Sequence, residues 1–147
     1  MSFVYILHFQ GALAQRVCSH IFLIKLYSVY RHFCIRSIHK IGVTGGEPAN
    51  RLSGAGDAPT ILFAKANLVA TFELFNINRS KLETLLHRIF SSARIEIELI
   101  DRFSKPYRPK EWFLVPLETI QDAVEKIKDG TIVGYQFNTE SGLMEER

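Results

Sequence analysis

The sequence predicts an α/β fold of the α+β type, with a small, mostly antiparallel central sheet flanked by helices. Three observations predict it. Short β-branched and aromatic runs, residues 3–7 and 39–44 first among them, are bounded by turn residues. Residues 79–91 repeat leucines at helical spacing. The chain of 147 residues is 47% apolar and 22% charged, which is enough to bury a core and too apolar for disorder.

Each element follows in order. Phe3-Val4-Tyr5-Ile6-Leu7 reads as a strand, and residues 39–44 as a second one ending at the Gly45-Gly46 turn. Pro48 suits a first helical turn, so residues 49–52 read as a short helix stopped by Gly54 and Gly56. Residues 60–66 and 68–75 read as two strands around Asn67. In the helix at 79–91, Leu82, Leu85, Leu86, Ile89 and Phe90 form one apolar stripe. A loop-rich stretch with Pro106 and Pro109 precedes a strand at 112–115. Ile120, Ala123, Val124 and Ile127 mark a second helix, closed by Lys126, Lys128 and Gly130. Residues 132–137 read as an edge strand, and residues 138–147 as a frayed tail. Residues 10–37 read as an insertion in one domain covering 1–137, with strand and helix signals mixed.

Charge is distributed unevenly. The net charge is +3, yet no acidic residue precedes Glu47, while Arg16, Lys25, Arg31, Arg36 and Lys40 do. A second basic run comprises Arg88, Arg94, Arg102, Lys105, Arg108 and Lys110. Two such tracts suit a polyanion, and either one alone also suits a solvated face. The chain opens on a strand-like run without a small-residue cleavage site, and no apolar stretch reaches the about 20 residues of a bilayer span. These features predict a cytoplasmic protein with no membrane partner. Cys18 and Cys34 make no disulfide framework. Cys18-Ser19-His20 and His32-Phe33-Cys34 could each offer a thiol and an imidazole to zinc from a strand, at a spacing that matches no known zinc pattern.

Five polar side chains stand among these elements: Tyr5, Lys40, Arg51, Glu83 and His87. Glu83 and His87 are i and i+4, so they share a helix face on the flank of the leucine stripe. A carboxylate held there suits a metal ligand. Ser80-Lys81-Leu82-Glu83 also matches a capping box, in which Glu83 would accept from the Ser80 N–H. Arg51 offers a permanently charged fork for phosphate oxygens, or a solvated helix arginine. Tyr5 and Lys40 lie on strand segments that could pair. To be half ionised at neutral pH a phenol needs its pKa lowered by about 3 units, a cost of about 4 kcal/mol. One cation at about 4 Å supplies about that much at an effective dielectric near 20.

Together these residues resemble the GIY-YIG nuclease superfamily, in its small phage- and bacteria-borne branch with a Lys-Ile-Gly second motif. Val4-Tyr5 matches the end of the first motif, and Lys40-Ile41-Gly42-Val43-Thr44 the second. Arg51 falls on the helix arginine, Leu82-Glu83 with His87 on the Leu-Glu-x-x-x-His helix, and Glu111-Trp112-Phe113 on a downstream Glu-Trp-Phe element. The likeness runs from about Phe3 to Ile127, most strongly from Ile38 to Phe113. It departs from the pattern in lacking the first motif's glycine and in placing residues 6–39 between Tyr5 and Lys40, which leaves Tyr27 and Tyr30 nearer that lysine.

The resemblance implies a Mg²⁺- or Mn²⁺-dependent endonuclease acting on nucleic acid, DNA ahead of RNA. Tyr5, helped by Lys40, would act as base or orient water, and Arg51 would neutralise phosphoryl charge. Glu83 would be the sole protein carboxylate on the metal. His87 would position the metal shell or a phosphate, and Arg102, Lys105, Arg108 and Lys110 would hold the backbone. Two alternatives stand beside it: a catalytically impaired nucleic-acid-binding or interaction module of the same fold, and an α/β scaffold for a protein partner.

Overall fold

The computed structural model describes residues 1–9, 38–51, 66–96, 98–100, 103–108 and 110–147. Its centre is a four-stranded sheet in the order β3-β1-β2-β6, with every neighbouring pair antiparallel. The strands are β1 (Ser2–Phe9), β2 (Ile38–Thr44), β3 (Ala66–Leu74) and β6 (Trp112–Leu114). Two α-helices accompany it, α1 (Arg79–Ile89) and α2 (Leu117–Lys128). Two short hairpins complete the described residues: β4 (Leu99–Ile100) with β5 (Pro106–Tyr107), and β7 (Tyr135–Asn138) with β8 (Leu143–Glu146).

Register assigns the faces, because residues opposite each other project to the same side. Tyr5 pairs with Gly42, Leu7 with Lys40, and Lys40 with Trp112, so these share one face. Val4, Ile6, Ile41 and Phe113 point to the other face, where they are fully buried with Leu82, Leu86 and Phe90 of the α1 region and Ile120, Ala123 and Val124 of α2. Burying one leucine contributes about 2 kcal/mol, more than any ordinary helix-propensity difference of up to about 0.7 kcal/mol. Packing therefore decides which side of α1 faces the sheet.

Several elements differ from expectation for local reasons. Residues 66–74 form one strand rather than two. Asn67 stays in the ladder opposite His8, and the register shifts between Ile6 and Leu7, leaving Val69 as the extra residue of a bulge. The short helix after the glycine turn is a 3-10 turn, Pro48–Arg51. Another 3-10 turn, Thr131–Gly134, takes the first half of the expected edge strand, and pairing starts at Tyr135.

The expectation of a frayed tail at 138–147 is corrected. Asn138 Oδ1 accepts from the Glu140 and Ser141 N–H groups, which turns the chain back into β8. Phe137 and Met144 pack on the core, and Phe137 meets Phe90 edge-on at 5.3 Å. A polar sequence that looks like a tail is thus a turn with an apolar residue on each side. Residues 10–37, with the thiols and imidazoles weighed for zinc and with Tyr27 and Tyr30, lie outside the described residues, as do residues 60–65.

Candidate functional site

The site is built on β2 where its partner β6 gives out. β6 pairs with β2 as far as Trp112 opposite Lys40, and the Ile41 N–H still reaches the Glu111 carbonyl at 3.2 Å. Beyond that point the edge of β2 carries backbone groups that need partners. Side chains of α1 supply them. His87 Nε2 lies 2.8 Å from the Ile41 carbonyl, so that nitrogen carries the proton and donates. The Val43 N–H donates to Glu83 Oε1 at 3.3 Å.

Glu83 is available because another residue caps its helix. Asn78 is the N-cap of α1, and its Oδ1 accepts from the Lys81 N–H at 3.0 Å. The capping box weighed for Ser80 and Glu83 therefore does not form. The carboxylate is half-buried against β2, and its Oε2 has no hydrogen-bond partner among the described residues.

Tyr5 arrives from the neighbouring strand. The hydroxyl end of its ring lies on Gly42: a methyl built there would overlap Tyr5 Cζ and Oη and stand 2.8 Å from Cε1. Glycine at 42 is what lets a buried tyrosine of β1 cross β2. Tyr5 and Glu83 thus come to consecutive residues of one strand, Gly42 and Val43. Lys40 lies on Tyr5's face, two residues further along β2. It is buried, and its Nζ binds Glu111 Oε2 at 2.7 Å. Burial first, and Glu111 second, push the neighbouring Tyr107 phenol above its ordinary pKa.

The other sequence-predicted residues are less gathered. Arg51 ends its 3-10 turn, and its side chain is outside the described part of the structure. Arg102 lies outside the described residues altogether. Lys105 and Arg108 belong to the exposed β4–β5 hairpin, where Arg108 pairs with Glu98 at 2.9 Å. Lys110 is exposed one residue before Glu111. Among the described residues no group of three or more His, Cys, Asp or Glu is arranged to hold a metal. No helix of the described residues is long and apolar enough to cross a membrane.

Sequence reasoning missed two partners. Glu111 was read as part of a motif and not as the counter-ion of Lys40, since its register to β2 is not visible in one dimension. Arg79 was passed over, although 79, 83 and 87 are spaced four apart and so share a face of α1. Its guanidinium lies on Gly45, where a built methyl would stand 2.8 Å from Arg79 Cζ.

Known proteins add a family. An uncharacterized protein, YeeC of Bacillus subtilis (strain 168), is 36% identical over 93 residues, which are 63% of this chain and 24% of that protein. The chain thus spans about a quarter of the relative's length. No solved structure gives a significant match. The family model that matches is the T5orf172 domain, over residues 3–128. This corrects the GIY-YIG assignment, which rested on fragments of two to five residues, whereas the match weighs most of the chain at once. The chain belongs to the T5orf172 domain family, a family of nuclease-like, nucleic-acid-related domains.

Proposed function

We propose that this domain hydrolyses phosphodiester bonds in DNA with the help of a divalent cation, Mg²⁺ or Mn²⁺. One observation carries the reading: a phenol from β1 lies on Gly42 of β2, and a carboxylate from α1 takes the N–H of the next residue, Val43. Hydrolysis needs a group that orients or deprotonates water next to a group that manages phosphoryl charge.

Tyr5 takes the first part. Its ring is fixed by burial and by the glycine beneath it, so the phenol is held in place before substrate arrives. Lys40, tied to Glu111, holds a cation on the same face without leaving a buried charge uncompensated. Arg51 neutralises charge building on the phosphoryl oxygens. His87 pins α1 to β2 through the Ile41 carbonyl, which fixes Glu83 one turn away, and its Nδ1 is left to accept from a water that positions the metal shell or a phosphate.

Glu83 is the residue that would hold the cation. Its Oε1 is committed to the Val43 N–H, and its Oε2 is open among the described residues. One carboxylate oxygen fits Mg²⁺, which keeps several waters and draws other ligands from substrate phosphate. When bound, such a cation supplies Lewis-acid stabilisation of phosphoryl oxygens. Arg102, Lys105, Arg108 and Lys110 hold the backbone without reading sequence.

A second reading has its own observation. Glu83 and His87 both bind β2 backbone, and closing that strand edge would by itself explain both side chains. The domain would then bind nucleic acid without cutting it. Nicking of supercoiled plasmid with Mg²⁺ and with EDTA separates the two. The hydrolase reading expects metal-dependent nicking that falls at least about 100-fold in Glu83→Gln, which keeps an acceptor for Val43, and in Arg51→Ala. Both variants should melt within about 1 kcal/mol of wild type. Undiminished nicking by both variants, or none by wild type, rejects it.

A further inference from the structure

We propose that Arg79, seated on the turn at Gly45, is a further phosphate-binding guanidinium that grips a phosphodiester of the bound nucleic acid one helical turn from Glu83. The inference rests on the nucleic-acid part of the reading above and deepens it.

The seat is specific. A methyl at Gly45 would overlap Arg79 Nη1, stand 2.8 Å from Cζ and lie 3.2 Å from Nε. The guanidinium therefore occupies space that any other residue at 45 would fill. The adjoining Gly46 is exposed, with open space where its Cβ would be. The seat thus lies beside open solvent.

The guanidinium is held but not neutralised. Glu83 lies four residues on, the spacing at which opposite charges on a helix ordinarily pair. It turns instead to the Val43 N–H, and no Arg79–Glu83 ion pair forms. Among the described residues Arg79 has no hydrogen-bond or ion-pair partner at all. Arg79 is exposed, and a guanidinium carries five N–H donors in a fixed plane, the geometry that binds phosphate oxygens in pairs. The α1 face then presents a cation and a carboxylate side by side, one for the substrate's phosphate and one for its counter-ion.

The test is duplex DNA binding by fluorescence anisotropy in EDTA, where nothing is cut, over a series of salt concentrations. Arg79→Ala should bind about three- to tenfold more weakly at low salt and lower the slope of log K against log salt by about one unit. Gly45→Ala keeps the charge and removes the seat. The φ of Gly45 is outside the left-handed region and the displaced atoms end a flexible side chain, so the variant should melt like wild type. It should lose most of the affinity that Arg79→Ala loses, and the double variant should bind no worse than Arg79→Ala. An unchanged slope in Arg79→Ala, wild-type binding by Gly45→Ala, or additive losses in the double variant would overturn the proposal. Binding and nicking fail separately: a wild type that never nicks leaves the Arg79 result intact, and a nicking enzyme with an unchanged Arg79→Ala slope sinks this inference alone.

Discussion

Glu83 shows how one neighbour decides a side chain's role. With Asn78 taking the helix start, the carboxylate is free to reach β2. The capping alternative was visible in the sequence, and so was Asn78, but single-residue patterns do not rank two caps two positions apart. Gly42 makes the complementary point. Its need for a bare backbone was not legible in the sequence, because the reason, the Tyr5 ring above it, depends on strand register. Gly42→Ala should lower stability by about 1–3 kcal/mol, because the ring is buried and cannot swing clear. Thermal or urea unfolding checks this, and a variant as stable as wild type would mean the ring is not held there.

At the scale of elements, β2 organises the site. It is central in the sheet over residues 38–40 and an edge beyond them, and α1 serves as its partner where β6 stops. The strand, the helix and the helix face were legible from spacing. That the helix would close this edge was not, since nothing local to either segment encodes their contact. The β7–β8 hairpin carries its own prediction. Hydrogen bonds from Ser141, and then from Asn138, hold the Glu145 carboxyl below the ordinary 4.5. A depressed folded pKa means stability that is present above the unfolded value and is lost as pH falls through the folded one. Amide exchange at residues 143–146 should therefore accelerate as pH drops below about 4.5, beyond the intrinsic pH trend, and Glu145→Gln should remove that excess. Equal behaviour of the two proteins would show that the carboxylate does not steady the turn.

For the molecule as a whole, charge distribution is the feature that bears on partners. The sheet's buried face is apolar, and the exposed cations Lys105, Arg108 and Lys110 lie along the hairpin and the approach to β6. Lys110 adjoins Glu111, so this tract leads to the Lys40 end of the site. Lys105→Ala should flatten the salt dependence of DNA binding by about one unit without changing the melting temperature. A slope identical to wild type would remove the hairpin from the footprint. The relative from Bacillus subtilis is about four times as long as the matched region, so a sequence similar to this one also occurs within a larger chain.

The sequence by itself determined the α+β class, the two helices, the strands at β1 and β2 and the shared face of Glu83 and His87, because periodicity is a property of neighbouring residues. Tertiary structure alone decided that Lys40 meets Glu111, that Tyr5 lies on Gly42, that Arg79 lies on Gly45 and that the last ten residues turn back on the core. Those contacts join residues far apart in the chain or depend on which backbone group is left without a partner. Such a need exists only once the strands have paired.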